Sequence, residues 1–373
     1  MNEGLHPENA ILSQKKAITV AELSPEQLLE DEKYMRRCLQ LARQGGAGAR
    51  PNPMVGAVVV CRGRIIGEGY HICQGGPHAE VNAIASVREP ELLAESTIYV
   101  SLEPCAHYGK TPPCADLIVS KRIKRCVIGC KDPFAKVDGL GIKKLLDAGV
   151  EVIVGVLERE CLELNRTFIT FHTLKRPYIT LKWAQSQDGF MDRLRQPTES
   201  PVQFSTPLTQ TLMHRRRALS DAILVGGGTA LMDNPSLTVR RWAARGETGN
   251  LPVVLRDRLG QVKGNPLRVV IDTKGDLPER LALFNKEAET LVWQSWDLQA
   301  LMRELHQRGI QALLVEGGAA TLQRFLEAGL WDEMRVETAP EVLCEGVKAP
   351  LAKVFSPAET HDVDGNVISL YRR

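Results

Sequence analysis

His78, Cys105 and Cys114 are of metal-binding type, and each stands where the sequence pattern changes. His78 opens a run of alanines and aliphatics at helical spacing, Cys105 follows an alternating strand, and Cys114 begins another helix. One imidazole and two thiolates make three tetrahedral zinc ligands and leave a fourth position for water, as in a catalytic rather than a structural zinc. Glu80 is two residues past His78, in the first helical turn. It can take a proton from that water and pass it to a ring nitrogen or leaving amine. A helix start at Cys114 also favours its thiolate. The bland alternative, core thiols beside ordinary helix-start residues, is weakened because all three ligand positions fall at element ends. His71 and Cys73 are rival ligands just upstream. Cys126 and Cys130 read as core thiols, since Cys126 lies on an apolar strand with no histidine beside it.

Several elements must position these residues. Ser24-Pro25 gives an N-cap and a first-turn proline, so one or two helices should run from about 25 to 45. Met54 to Cys61 and Ile65 to His71 read as a hairpin, and Thr97 to Leu102 as a strand. Then come a helix over 113–120, a strand over 125–129, a helix over 141–148, a strand over 151–156 and a closing amphipathic helix over 158–173. Such alternation predicts a layered α/β domain. The polar, aperiodic start is taken as a mobile extension over 1–30, with one domain over 31–174 and a second over 175–373 after Lys175-Arg176-Pro177.

The second half again mixes strands (178–183, 222–225, 268–272, 290–294, 312–315) with helices near 206–219, 297–308 and 319–328. An Arg-, Gly- and Pro-rich stretch over 240–266 reads as a long loop. Two strands run straight into glycine turns, Gly226-Gly227-Gly228-Thr229 and Glu316-Gly317-Gly318. Such turns let backbone N–H groups approach phosphate, and two of them suggest a dinucleotide, although no G-x-G-x-x-G fingerprint is present. Of Arg215-Arg216-Arg217, the first two are expected on a solvated helix face.

At 373 residues the chain is long enough for two cores. It is 43% hydrophobic and 25% charged, without a window of membrane-span character, so no membrane role is expected. A net charge of +2 disfavours nucleic acid but is compatible with a phosphorylated small molecule. Nine scattered cysteines fit reduced thiols, and without a secretory signal pattern the expected location is cytoplasmic. A homo-oligomer is left open.

The signature of zinc deaminases is H-x-E with P-C-x-x-C, from which this chain departs by having eight residues between Cys105 and Cys114. With that loop, Pro51 to Gly56, Pro77 to Val81 and Leu102 to Cys114 resemble the bacterial bifunctional riboflavin biosynthesis family. That family joins a diaminohydroxyphosphoribosylaminopyrimidine deaminase to a 5-amino-6-(5-phosphoribosylamino)uracil reductase. The resemblance implies a cytidine-deaminase-like three-layer domain followed by a dihydrofolate-reductase-like domain, one zinc, NADPH, and a small phosphoribosyl pyrimidine as substrate. It implies that Asn52, His107 and Lys110 help hold that substrate. In the second half Lys182 to Gly189, Gly228-Thr229, Asp233 to Arg240 and Glu316 to Gly318 are similar to the reductase. Ala184, Thr229, Asp233 and Gly318 would then contact NADPH, and Lys182, Arg217, Leu237, Arg240 and Glu316 the phosphoribosyl substrate. Arginine suits phosphate through its planar fork. Two departures bear on cofactor stacking: Pro201-Val202-Gln203 where relatives carry Ser-x-Trp, and Leu343-Cys344-Glu345-Gly346 where they carry an apolar pair and glycine. A deaminase with a ligand-binding but non-reducing second half is the alternative. A nucleic-acid editing deaminase would need a basic face and gives no reason for the second half.

Overall fold

Apolar strands that can hydrogen-bond only to one another build the frame of each half. The computed structural model describes residues 16–108, 112–133, 139–242, 265–350 and 355–373. It comprises two compact units, residues 1–165 and 166–373.

In the first unit six strands, β1 (Ile18–Thr19), β2 (Gly56–Cys61), β3 (Arg64–Tyr70), β4 (Thr97–Leu102), β5 (Arg125–Cys130) and β6 (Glu151–Val154), form one sheet in the order β1-β6-β5-β4-β2-β3. Neighbours are parallel from β1 to β4, and β2 is antiparallel to both β3 and β4. Both faces of the central strands are apolar, so both are covered, as buried parallel strands require. One face carries α1 (Pro25–Arg43) through Tyr34, Met35 and Cys38, and α5 (Glu158–Leu164) through Cys161. The other carries α2 (Ala79–Ala85), α3 (Cys114–Ser120) and α4 (Leu140–Asp147) through Ala83, Ile118 and Leu145. These are the three layers expected.

Two expectations are corrected here. Residues 18–30 are not a mobile extension: Ile18 and Thr19 pair with Ile153 and Val154, Ile18, Val20 and Leu23 pack on the core, and Ser24 caps α1 by accepting from the Gln27 amide at 3.2 Å. The closing helix over 158–173 is broken into α5 and α6 (Arg166–Leu174) at Asn165. That buried side chain leaves the helical pattern to bond both backbone groups of Met54, at 2.8 and 2.9 Å. The units accordingly divide between Asn165 and Arg166, ahead of the boundary expected near 174.

The second unit contains β7 (Tyr178–Gln185), β8 (Phe190–Asp192), α7 (Pro207–Ala218), β9 (Ala222–Gly226), α8 (Gly227–Asp233), β10 (Leu267–Ile271), β11 (Thr290–Trp293), α9 (Leu298–Gln307), β12 (Ala312–Val315), α10 (Ala319–Glu327), β13 (Glu333–Thr338), β14 (Val347–Lys348), β15 (Glu359–Val363) and β16 (Asn366–Arg372). Eight strands make one sheet ordered β11-β10-β9-β12-β7-β13-β16-β15, parallel except at β16 and β15, while β8 and β14 pair separately. One face packs Leu181, Trp183, Met334 and Val336 against Leu301 and Leu305 of α9 and Phe325 of α10. The other packs Ile223, Val225 and Leu314 against Ala230 of α8, with Met213 of α7 alongside. β13, β15 and β16 had no strand assignment from sequence. In β13 the face toward α7 carries Glu333, Arg335 and Glu337, so a buried ionic layer hides the apolar alternation. The loop expected over 240–266 lies mostly outside the described residues.

Candidate functional site

In the first unit β4 ends at Leu102, and the chain turns through Glu103-Pro104 to present Cys105 above the carboxyl ends of β4 and β5. α2 and α3 begin at the same level, with His78 as the residue capping α2 and Cys114 as the first of α3. His78 Nδ1 lies 3.6 Å from Cys105 Sγ and 3.4 Å from Cys114 Sγ, and the three donor atoms all lie within 4.8 Å of one another. Among the described residues this is the one cluster of three such groups that could hold a metal ion. Its donors, one nitrogen and two sulfurs, fit zinc and leave a tetrahedral position open. The Cys114 amide N–H points at Cys105 Sγ from 3.3 Å. Hydrogen bonding from Cys114 and His78 lowers the Cys105 thiol, while the same contact and burial raise Cys114. A cation bound between them would favour both thiolates.

Glu80 is 3% exposed and is not one of the three donors. Burial pushes its carboxyl up to about 7, against the opposing pull of His78. Proton traffic near neutral pH needs such a carboxyl. His71 is not a rival ligand: its Nδ1 faces the Pro77 carbonyl at 3.1 Å and its Nε2 the Asn52 amide nitrogen at 3.1 Å. Nδ1 is therefore the donor and Nε2 the acceptor, which fits a neutral ring whose ionisation is lowered by burial. Asn52 is thereby tied to the ring beside His78, with imidazole centroids 5.6 Å apart. His107 is exposed near Cys105, and Lys110 lies outside the described residues. Cys126 and Cys130 are buried core thiols, as expected.

Sequence reasoning missed Glu103. Its buried carboxylate accepts from the amides of Gly141 (3.0 Å), Gly139 (3.1 Å), Ile142 (3.2 Å) and Asp132 (3.4 Å), tying the start of α4 beneath the Cys105 turn. The signal was in view, since the residue directly precedes Pro104-Cys105.

In the second unit the two glycine turns sit side by side. Thr229 Oγ1 accepts from the Gly318 amide at 2.8 Å, and a Cβ on Gly317 would stand 2.5 Å from Val225 Cα, so only glycine lets these backbones meet. A Cβ on Gly228 would meet nothing within 4 Å, which leaves room for a cofactor phosphate beside the turn. Asp233 forms an ion pair with Arg195, which also holds Asp192 at 2.6 Å. Ala184 lies on β7 opposite Glu337. Arg217 grips Glu316 with both arms of its fork, at 2.7 and 2.5 Å, and its third nitrogen reaches the Thr238 carbonyl at 3.4 Å. Arg240 bonds the Ser236 hydroxyl and, at 3.0 Å, that of Thr238, while its amide donates to His214 Nδ1 at 3.1 Å. Burial and then Arg217 push His214 down to about 4, so this ring is a neutral acceptor. Burial lowers Lys182, whose nearest carboxylate is Glu337 at 3.8 Å. Leu237 has φ of 49° and a side chain in the core, so only its backbone is available to a ligand. Arg216 corrects the expectation of a solvated face. It pairs with the buried Glu333 at 3.2 Å, while Arg215 lies over Trp242.

Both halves match family models: residues 29–130 the cytidine and deoxycytidylate deaminase zinc-binding region, and residues 177–352 the RibD C-terminal domain. The riboflavin biosynthesis protein RibD of Aquifex aeolicus is 39% identical over 85% of this chain and 89% of its own length. That of Escherichia coli K12 is 35% identical over 84% and 89%. Among solved structures, a diaminohydroxyphosphoribosylaminopyrimidine deaminase/5-amino-6-(5-phosphoribosylamino)uracil reductase from Thermotoga maritima superposes with a TM-score of 0.77 at 34% identity, covering 93% of this chain and 99% of that one. Acinetobacter baumannii RibD gives 0.79 at 30% identity, covering 92% and 99%. With a zinc-type deaminase site in one unit and paired glycine turns in the other, the chain belongs to the RibD family of bifunctional deaminase–reductases of riboflavin biosynthesis.

Proposed function

We propose that the first unit hydrolyses the 2-amino group of 2,5-diamino-6-(5-phosphoribosylamino)pyrimidin-4(3H)-one. In this reading His78, Cys105 and Cys114 hold one zinc. A bound zinc supplies a Lewis acid that makes water nucleophilic at neutral pH. Glu80 takes the proton of the attacking water and delivers it to the ring nitrogen. It then serves the departing amine, so that water and the amino group are exchanged for a carbonyl and ammonia. Asn52, held by His71, orients the pyrimidine, with His107 and Lys110 toward the phosphoribosyl group. The observation that carries this reading is the convergence of one imidazole and two thiols around a buried, non-ligating glutamate.

The second unit is proposed to reduce the deaminated intermediate at C1′ of its ribosyl group, giving 5-amino-6-(5-phosphoribitylamino)uracil. NADPH is the source of the hydride. Thr229, Asp233, Ala184 and the Gly318 backbone border its place, and the open side of Gly228 fits a cofactor phosphate. Arg240, with the Ser236 and Thr238 hydroxyls, is the stronger phosphate holder. Arg217 has committed its fork to Glu316 and offers only its remaining nitrogen. Lys182 and Glu316 face the sugar, and the Leu237 backbone closes the turn. A cytoplasmic setting and a small-molecule substrate belong to the same proposal; among the described residues no helix is long and apolar enough to cross a membrane.

Incubation with the phosphoribosyl diaminopyrimidinone, with and without NADPH, and mass analysis of the products tests both halves. The expected result is the uracil alone without NADPH and the ribityl product with it. Accumulation of the uracil in both cases would favour a ligand-binding second unit without reduction.

A further inference from the structure

Arg195 is singled out by what it holds together. It lies in the segment between β8 and α7, its side chain is only 4% exposed, and all three of its guanidinium nitrogens donate. Nε donates to Asp192 at 2.6 Å, one terminal nitrogen to the carbonyls of Glu199 at 3.0 Å and Met232 at 3.4 Å, and the other to the Asp233 carboxylate. Met232 and Asp233 end α8, so this one side chain fastens the 192–203 segment to the far end of the helix that begins at the glycine turn. Asp192 extends the link. Its carboxylate also accepts from the Val202 amide at 3.1 Å, and its backbone pairs with Val347 of β14. Beside that pair a Cβ on Gly346 would run into the Asp192 carbonyl oxygen. Both departures expected to bear on cofactor stacking, Pro201-Val202-Gln203 and Leu343-Cys344-Glu345-Gly346, are therefore tied to the residue that Arg195 holds.

We propose that Arg195 is a positioning residue for the nicotinamide cofactor, aiming the Asp233 carboxylate at it and fixing the segment that stands where relatives carry Ser-x-Trp. The proposal rests on the reductase reading given above. The Asp233 side chain is 36% exposed, and its second carboxylate oxygen has no hydrogen-bond partner among the described residues. A carboxylate accepts and cannot donate, so that oxygen suits a hydroxyl or amide N–H of the cofactor rather than a phosphate. Left unpaired, the same carboxylate would repel a polyanion such as NADPH. The guanidinium cancels that charge, and its fixed fork sets the direction of the remaining acceptor.

The test is a double-mutant cycle in the full chain: NADPH titration, followed by fluorescence, of the parent, Arg195→Met, Asp233→Asn and the double variant. Arg195→Met is expected to weaken NADPH by about tenfold while deamination is unchanged. The loss should be much smaller once Asp233→Asn is present, because Arg195 then has no carboxylate to aim or neutralise. With supplied deaminated intermediate, Arg195→Met should raise the KM for NADPH more than it lowers kcat. Its gap from the parent should narrow as added salt screens the freed carboxylate. Arg195→Lys keeps the charge without the fork and should recover part of the loss. If Arg195→Met does not fold, Arg195→Lys takes its place in the cycle. Equal losses with and without Asp233→Asn would reduce Arg195 to a tie in the scaffold and overturn the proposal, as would unchanged NADPH affinity. No NADPH binding in the parent defeats the reductase reading and the proposal together, whereas binding in the parent with additive losses overturns the role of Arg195 alone.

Discussion

The two units build their sites by opposite means. In the first, the proposed chemistry rests on side chains: one histidine, two cysteines and one glutamate at element ends, each with a side-chain type that already suggests its role. In the second, the backbone carries much of it. Two glycine turns meet only because no Cβ intervenes, Leu237 offers a strained backbone rather than its side chain, and the ionic groups hold one another across distant strands. A side-chain site is legible from residue types and spacing. A backbone site is legible only once strand order places one turn beside the other. Substitution at the first site should therefore cost catalysis without the fold, whereas at the buried ionic groups of the second it should cost both.

The largest effect is expected where function and stability are fused. Arg217 and Glu316 are 14% and 11% exposed in their side chains and grip one another with two hydrogen bonds. Arg217→Gln leaves a buried carboxylate uncompensated, at about 3–5 kcal/mol, and Glu316→Gln in the same chain should recover much of it. Burial raises the Glu316 carboxyl, but Arg217 more than offsets this, and the group lies below its ordinary value of 4.5. A lowered carboxyl stabilises the fold at pH above its unfolded value and loses that contribution as the pH falls through the folded one. The deficit of Arg217→Gln relative to the parent should therefore be largest near pH 7 and shrink as the pH falls, because the parent loses the pair's contribution while protonation of Glu316 relieves the uncompensated charge in the variant. Chemical denaturation of the parent and both variants across pH 3–7 measures this. Equal unfolding midpoints would break the contrast between the units.

Glu80→Gln is the counterpart in the first unit. The carboxylate is not a ligand, so zinc content and melting temperature should hold while ammonia release falls roughly 100-fold or more. NADPH oxidation on supplied deaminated intermediate should be unchanged. Metal analysis with two separate assays measures the split, and near-normal deamination would show that another group moves the proton.

The layers of the first unit, the hairpin and the clustering of His78 with Cys105 and Cys114 were all legible, because apolar periodicity and side-chain chemistry are local. What was not legible depended on partners far away in the chain. Asn165 breaks an apparently continuous helix to bond Met54, Ile18 and Thr19 join the far edge of the sheet, and β13 disguises itself by facing charges inward. Arg195, which holds Asp192 and Asp233, had no signal at all. Glu103 is intermediate, since its place before Pro104-Cys105 marks it but its four amide donors do not show in the sequence. Glu103→Gln keeps the shape and removes the charge that those amides satisfy. Because it holds the turn carrying Cys105, zinc affinity should fall about tenfold, the lower end for groups that orient metal ligands. Competition with a chromophoric chelator measures this, and unchanged affinity would confine Glu103 to stabilising α4.

The smallest effect in stability separates cradle from scaffold most cleanly. Gly228 lies in the first turn of α8 with an ordinary φ, and a Cβ there meets nothing within 4 Å. Replacing a helical glycine with alanine reduces the entropy lost on folding, so Gly228→Ala should hold stability or raise it by up to about 1 kcal/mol. The same methyl group would occupy the space beside Thr229 and Gly318 that the reductase reading gives to a cofactor phosphate. NADPH affinity should therefore fall roughly tenfold, or about 1.4 kcal/mol, while deamination is untouched. Thermal melting alongside a fluorescence titration with NADPH separates the two. Unaltered affinity in a stabilised protein would mean that the glycine turns meet for packing alone, and that the cofactor is held elsewhere on the unit.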